Sequence, residues 1–281
     1  MDESRLTSFT SEGLTFDVRD SGPVGGPVVL ALHGFPQTSA SWSGVTPLLT
    51  AAGYRVLAPD QRGYSPGARP QSVAAYTMGH LCRDVLALAD AAGANRFHLL
   101  GHDWGAGVAW VLAITRPERV LTLTAVSVPH PAAFVRSMLG TQALRSWYMA
   151  LFQLPAVPEL LFRARGGATL RRLLRGGAHP DPDAAVRLLA DARTATGALN
   201  WYRALRKRSD LELGPVRVPT LYVWSDRDPA LGRRAAENTA AWVRAPYRFE
   251  VLSGASHWIP EEHPVELGAL VLEHLRVHAT G

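Results

Sequence analysis

The chain carries an aspartate at a position typical of a catalytic nucleophile. Asp103 is the central residue of Leu99-Leu-Gly-His-Asp-Trp-Gly-Ala-Gly107, in which a strand-like apolar run enters a Gly-x-Asp-x-Gly turn and then a helical pattern. Because Gly101 and Gly105 have no side chains, they permit a sharp turn that lifts the central carboxylate above a sheet. The positive end of the following helix favours the ionised, nucleophilic form. The turn alone is equally compatible with an aspartate that only caps a helix.

Two further residues supply the partners that such a nucleophile needs. Asp228 ends the turn Ser225-Asp-Arg-Asp228 after one strand-like run, and His257 follows Gly254-Ala-Ser after the next run. The chain order is therefore nucleophile, acid and base at successive strand ends, which predicts a catalytic triad. Two alternatives stay open: Asp226 competes with Asp228 as the acid, and His257 is also compatible with a buried structural histidine.

A third segment predicts the groups that stabilise negative charge. His33-Gly-Phe-Pro36 directly follows the first apolar run, so a tight turn there aims the backbone N–H of Phe35 at the space that the N–H of Trp104 also faces. Two convergent N–H donors form an oxyanion hole. We interpret His33 and Arg62 as structural residues that brace loops near this site.

The elements that must position these residues alternate along the chain. Six apolar runs of four to eight residues, each bounded by turn residues, predict buried strands. They are Val28–His33, Arg55–Ala58, Phe97–Gly101, Leu121–Val126, Thr220–Trp224 and Arg248–Leu252. Helical patterns cover Met78–Ala92 and Ala106–Thr115 between them. This alternation predicts an α/β fold with a mostly parallel sheet flanked by helices.

The pattern changes from about residue 131 to residue 214. Strand-like runs are absent there, and prolines and glycine pairs separate helical stretches over Thr141–Phe152, Ala184–Thr194 and Ala198–Arg208. Because strands resume at Thr220, the insertion must return to the same sheet and is expected to cover its carboxyl edge. We predict an all-helical cap at 131–214 between two parts of one core, 1–130 and 215–281.

Charge and cysteine content exclude several other classes of protein. The net charge is +5, but the basic residues are dispersed arginines with Lys207 as the only lysine, which does not favour nucleic-acid binding. We interpret the densest arginine stretch, Arg163–Arg175, as a solvated helix face, with a membrane surface or a partner protein as the alternative. Cys82, the single cysteine, excludes an internal disulfide and is expected to be a buried helix residue.

The sequence predicts neither a cofactor nor a membrane span. The histidines lack metal-ligand spacing, and Gly105-Ala-Gly107 lacks the third glycine of a dinucleotide-binding loop. No apolar run approaches the roughly 18 residues that span a bilayer, and the polar start of the chain has no signal sequence. The expectation is therefore a cytoplasmic protein, either monomeric or homodimeric.

Taken together, these segments resemble the epoxide hydrolases of the α/β-hydrolase superfamily over nearly the whole chain. The matching segments are His33-Gly-Phe-Pro36, Asp60-Gln-Arg-Gly-Tyr64, Gly101-His-Asp-Trp-Gly-Ala106, Asp228, His257 and Gly197-Ala-Leu-Asn-Trp-Tyr-Arg203. The resemblance implies the α/β-hydrolase fold, a nucleophilic Asp103, and Asp228 rather than Asp226 as the acid. The loop after Gly63 departs from the family, because it reads Tyr-Ser-Pro-Gly.

In that family two cap tyrosines hold and protonate the epoxide oxygen. The string Leu-Asn-Trp-Tyr-Arg assigns one of them to Tyr202, and the looser pattern Tyr-x-x-x-Phe-Gln-x-Pro assigns the other to Tyr148. Without the motif, both would be interpreted as core aromatics. The implied reaction is hydrolysis of an epoxide to a diol without a cofactor. The aromatic cap residues Trp147, Phe152 and Trp201 suggest an apolar epoxide as the substrate.

Other functions on the same fold stay open as alternatives. A haloalkane dehalogenase shares the aspartate nucleophile, but such enzymes commonly offer Asn where this chain has Phe35. A fluoroacetate dehalogenase resembles a variant with arginines just after the nucleophile, where this chain has Trp104 and Gly107. A serine esterase is disfavoured because the chain has no Gly-x-Ser-x-Gly segment. A non-catalytic small-molecule-binding protein is the alternative from a different class.

Overall fold

The computed structural model describes residues 5–206 and 214–278. In this part of the chain, eight strands form one sheet in the order β1-β2-β4-β3-β5-β6-β7-β8. Strands β3 to β8 are all parallel, whereas β2 runs antiparallel to both β1 and β4. The strands are β1 (Ser8–Ser11), β2 (Leu14–Ser21), β3 (Val28–Leu32), β4 (Arg55–Pro59), β5 (Phe97–His102), β6 (Val120–Val126), β7 (Thr220–Ser225) and β8 (Tyr247–Leu252).

All six strands expected from the apolar runs are present, with ends that differ by at most one residue. Every residue of β3, β4, β5 and β7 is buried, because helices cover both faces of the sheet. The first hairpin, β1 with β2, was not among the predicted strands. In β2, buried and exposed residues alternate along most of the strand, so its sequence has no continuous apolar run.

Two helix layers bury the two faces of the sheet. The helices of the core are α1 (Thr46–Ala51), α2 (Met78–Ala91), α3 (Trp104–Thr115), α10 (Arg233–Glu237), α11 (Ile259–Glu262) and α12 (Pro264–Val277). On one face of the sheet Leu30 packs in the same apolar cluster as α2 and α3, and on the other face its neighbour Val29 packs with α1 and α12. Cys82 lies buried in α2, as expected. Within the described residues, none of the helices is both long and apolar enough to cross a membrane.

Helices alone fill the described part of the predicted cap. They are α4 (Pro131–Ser137), α5 (Gln142–Arg145), α6 (Trp147–Phe152), α7 (Val157–Gly176), α8 (Pro182–Ala190) and α9 (Ala192–Ala204). Two of the predicted stretches are interrupted, at Ser146 and at Asp191, whose carboxylate accepts from the N–H of Thr194 at the start of α9. The predicted end of the last stretch, at Arg208, lies outside the described residues. α4 packs against α3 and α10, and the exact cap boundaries remain a prediction.

Helix α9 of the cap packs against the loop that follows β4 in the core. The Gly197 backbone lies so close to the loop after β4 that a Cβ there would sit 2.7 Å from the Cα of Gly63. The indole of Trp201 donates to the carbonyl oxygen of Arg62 at 2.8 Å. The Arg62 guanidinium in turn binds both carboxylate oxygens of Asp84 at 2.7 Å, which fits its interpretation as a loop brace.

Candidate active site

Asp103 occupies the turn between β5 and α3, with φ 50° and ψ −119°. This positive φ is strained for a residue with a side chain, and surrounding packing must maintain it. The packing is tight: a Cβ at Gly34 would collide with the Asp103 side chain, and a Cβ at Gly105 would collide with the carbonyl of Leu32. The predicted elbow glycine at 105 is therefore required for the close approach of the turn to β3.

The loop after β3 places a backbone N–H next to the carboxylate of Asp103. The N–H of Phe35 donates to Oδ1 of Asp103 at 2.8 Å, and the Phe35–Pro36 peptide is cis. Trp104 is the first residue of α3, so its N–H is among those without a partner in the helix. His33 accepts from the N–H of Gln61 at 3.0 Å, which fits its interpretation as a loop brace. Of the two predicted oxyanion donors, Phe35 thus contacts the carboxylate directly, and Trp104 follows Asp103 in the chain.

The structure brings the three predicted triad residues together. Nδ1 of His257 lies 2.6 Å from Oδ2 of Asp228, and Nε2 lies 3.4 Å from Oδ2 of Asp103. The other oxygen of Asp228 accepts from the N–H groups of Ala230 and Leu231 at 2.7 and 2.9 Å, which fixes its orientation. Asp226 is exposed and accepts from the N–H of Gly254 instead, so its carboxylate does not contact His257.

The charges of this group support one another. Burial acts to raise the pKa of Asp103, but the hydrogen bond and charge of His257 and the N–H of Phe35 lower it below its ordinary value. Burial would likewise lower the pKa of His257, whereas the flanking carboxylates of Asp228 and Asp103 raise it to about 10. Both shifts favour an imidazolium between two carboxylates in the resting site.

A second polar network links the loops that carry Phe35, Asp103 and His257, and no sequence motif predicted it. The ring nitrogens of His102 lie 2.9 Å from Oε1 of Gln37 and 2.9 Å from the carbonyl oxygen of His257. The amide of Gln37 donates to Glu261, and the hydroxyl of Ser127 donates to the same His257 carbonyl at 2.9 Å. These polar residues adjoin the motifs in the sequence, but no local sequence pattern predicts that they contact one another.

Tyr148 and Tyr202 line the same cavity as Asp103, on its cap side. Their ring centroids are 6.2 Å apart, and Phe152 packs edge-on against both. Burial and the negative charge of Asp103 raise the pKa of each hydroxyl, so both are neutral hydrogen-bond donors. The ring of Tyr202 also lies 4.9 Å from that of Trp104. Both predicted cap tyrosines therefore lie within the electrostatic reach of Asp103.

A cavity of about 830 Å³ extends from Asp103 into the cap. Phe152 and Trp147 line it as predicted, although Trp147 is 58% exposed at its edge. Trp201 is absent from the described lining, because its side chain is 2% exposed and is directed at the core, where it binds Arg62. We therefore interpret Trp201 as a residue that anchors the cap, which differs from the sequence-based expectation.

Metal ligands are not grouped in the described part of the chain. Among residues 5–206 and 214–278, no three His, Cys, Asp or Glu side chains are arranged as a metal site would require.

Known proteins share this chain's sequence and fold. Residues 27–264 match the family of proteins with the alpha/beta hydrolase fold. Epoxide hydrolase A of Mycobacterium tuberculosis is 34% identical, with 94% of this chain and 95% of the relative covered. AB hydrolase superfamily protein YfhM of Bacillus subtilis is 35% identical, with 98% and 99% covered. The crystal structure of epoxide hydrolase A from Mycobacterium thermoresistibile matches with a TM-score of 0.80 at 31% identity, covering 97% of this chain and 98% of that one.

This chain therefore belongs to the α/β-hydrolase family. Its relatives in that family include epoxide hydrolases, so the resemblance found in the sequence is confirmed, as is the predicted fold class.

Proposed function

We propose that the protein hydrolyses an epoxide to a vicinal diol through a covalent ester on Asp103. One observation carries this proposal: Asp103 lies beside the His257–Asp228 pair at one end of a cavity whose cap side presents Tyr148 and Tyr202. A nucleophile, a base with its orienting acid, and two neutral hydroxyl donors are the groups that two-step epoxide opening needs.

In the first step the carboxylate of Asp103 attacks an epoxide carbon. A C–O bond forms to the carboxylate while the ring C–O bond breaks, and the departing oxygen receives a hydrogen bond or a proton from Tyr148 or Tyr202. The product is a hydroxyalkyl ester. The ionised state that this attack requires is the one favoured by the lowered pKa of Asp103.

Ester formation also changes the state of His257. Alkylation neutralises Asp103, so the imidazolium loses one of the two carboxylates that raise its pKa. Its pKa therefore falls, and it loses a proton. The proton count of the first step balances, because the tyrosine that protonates the epoxide oxygen is reprotonated as the imidazolium loses its proton.

In the second step the neutral His257 removes a proton from water, which attacks the ester carbonyl. The N–H groups of Phe35 and Trp104 stabilise the oxyanion, as the contact between the Phe35 N–H and Asp103 suggests. Collapse of the intermediate releases the diol and regenerates the carboxylate and the imidazolium. Asp228 stabilises the charged ring through the bond to Nδ1.

A haloalkane dehalogenase is the second candidate, since its first step uses the same carboxylate. Halide departure needs no proton, so two tyrosine hydroxyls facing the nucleophile favour an epoxide. A turnover panel tests this choice: styrene oxide, aliphatic epoxides, haloalkanes and p-nitrophenyl esters. We expect diol from at least one epoxide and no halide release. Halide release without activity on any epoxide would replace the proposal, and no turnover of any compound would support a binding protein.

We further propose that a small-molecule epoxide and water are the only reaction partners. The proposal also includes a cytoplasmic location and a monomeric or homodimeric state. Cell fractionation and sedimentation analysis test the last two points.

A further inference from the structure

The cavity above Asp103 has an asymmetric charge distribution. Three arginines line it, Arg145, Arg165 and Arg172, and Asp103 is the only carboxylate among the described lining residues. Arg145 donates to the carbonyl oxygens of Asp228 and Pro229 at 2.8 and 3.3 Å, so its guanidinium is engaged by the core. The other two arginines belong to α7 in the cap.

A kink in α7 lies next to these two arginines. The backbone leaves the helical conformation between Ala164 and Gly167, and Arg165 itself has φ 53°. Positive φ is uncommon and strained for a residue other than glycine. Arg165, which lies within the kink, and Arg172, which follows it, both line the same cavity.

Other arginines of the cap form ion pairs with acidic residues. Arg171 pairs with Asp183 at 2.5 Å, and Arg203 pairs with Glu159 at 2.8 Å. Over the two described ranges, the structure shows no ion pair for the exposed Arg165 or Arg172. Their charge is therefore available to a ligand in the cavity.

Apolar side chains make up much of the remaining α7 wall of the cavity. They are Leu161, Phe162, Leu170, Leu173 and Leu174. A ligand that reaches both Asp103 and the two arginines must therefore pass an apolar surface. This arrangement matches an amphipathic molecule with its anionic group remote from the reacting carbon.

We propose that Arg165 and Arg172 form a second binding subsite, for a carboxylate or phosphate that an apolar chain joins to the epoxide. Guanidinium groups bind both anions through paired hydrogen bonds. The reactive group named here rests on the proposed function. Because the anion is remote from the bonds that change, its contacts are equal in the ground and transition states and act mainly on KM.

Three matched substrates test the subsite: the ω-epoxide of undecanoic acid, its primary amide, and the corresponding ω-epoxyundecyl phosphate. For the wild-type protein we expect a kcat/KM at least about tenfold higher for one of the anions than for the amide, mainly through KM. The preference should weaken as ionic strength rises. The ratio between the carboxylate and phosphate arms shows which anion the subsite takes.

Substitution of the arginines locates the effect. In Arg165→Gln/Arg172→Gln the ratio of anion to amide should fall to near one. Arg163→Gln is the control, because Arg163 lies on the same helix, contacts the carbonyl of Glu159 and is outside the described lining. Equal kcat/KM for anions and amide in the wild-type protein, or a preference that survives in the double variant, would overturn the subsite.

A binding measurement separates this inference from the proposed reaction. Calorimetric titration with undecanoate, undecyl phosphate and undecanamide needs no turnover, and thermal unfolding checks that each variant is folded. Tighter binding of an anion that is lost only in the double variant supports the subsite even if no epoxide is hydrolysed. Equal binding of all three compounds contradicts the subsite even if neutral epoxides are good substrates.

Discussion

The core and the cap contribute to the same cavity but hold their functional groups by different forces. In the core, hydrogen bonds to neighbouring loops fix the triad: Asp228 accepts from two backbone N–H groups, and Asp103 accepts from Phe35. In the cap, ring packing positions Tyr148 and Tyr202 around Phe152. In the proposed reaction, the core therefore sets the ionisation states, whereas the cap sets which oxygen receives a donor and what shape of substrate fits.

This difference separates the two chemical steps. Removing a core group should affect nucleophilic attack or ester hydrolysis, depending on which residue is changed. Removing a cap hydroxyl should slow ring opening and leave ester hydrolysis largely unchanged. Substitutions in the two regions therefore give distinguishable kinetic defects.

The largest expected effect is that of Asp103→Ala. Turnover of any epoxide should be abolished, because the substitution removes the nucleophile without emptying the apolar core, and the protein should remain folded. Steady-state diol formation and thermal unfolding are the measurements. Asp226→Ala is the matched control, since Asp226 is exposed and bonds only the Gly254 N–H among the described contacts. Near wild-type activity in Asp103→Ala would place the nucleophile elsewhere.

The next effect concerns the cap tyrosines. Tyr148→Phe/Tyr202→Phe should slow covalent-intermediate formation about a hundredfold or more, because general acid assistance is lost while the packed ring area is kept. Each single change should have a smaller effect, since one donor remains. Rapid-quench single-turnover kinetics measure the step. Tyr247→Phe serves as a control on β8, away from the cavity. Wild-type rates in the double variant would show that the two tyrosines serve only as packing residues.

The smallest effect belongs to Glu261, a half-buried acid in the network of Gln37 and His102. Burial raises its pKa to about 7 from 4.5, despite the hydrogen bond from Gln37 and the charge of His257, and Glu262 adds to the rise. A raised carboxyl pKa means that the folded protein loses stability as pH rises from about 4.5 through about 7. Glu261→Gln removes this loss, so its Tm should exceed the wild-type Tm at pH 8 by on the order of a few °C and converge with it below pH 5. An identical pH dependence of Tm in both proteins would contradict this assignment.

Strand positions and the grouping of Asp103, Asp228 and His257 were predictable because each rests on a local signal. Buried strands are continuous apolar runs, and Asp103, Asp228 and His257 follow strands whose carboxyl ends meet at one edge. The hairpin β1–β2 was missed because its alternating pattern spans few residues. Trp201 was assigned to the pocket because composition cannot show whether an aromatic side chain on α9 is directed at the cavity or at the core.

The arginines of α7 show the limit of local patterns more clearly. The stretch reads as a solvated helix face, and Arg165 and Arg172 are indeed exposed. The backbone leaves the helical conformation between Ala164 and Gly167, and both side chains line the cavity. The spacing of seven residues places the two arginines on one helix face, but it cannot predict that this face meets the cavity above Asp103.

A single-turnover reaction with His257→Gln tests the covalent intermediate on Asp103 most directly. Asp103 should still be alkylated, because a cap tyrosine can protonate the epoxide oxygen and recover its proton from solvent. The ester should persist, because glutamine cannot act as a base. Mass spectrometry of the peptide containing Asp103 should then show the added mass of one epoxide, and Asp103→Ala/His257→Gln should show none. An unmodified peptide in His257→Gln, after incubation with an epoxide that the wild-type protein hydrolyses, would mean that water attacks the ring directly and would contradict a covalent mechanism.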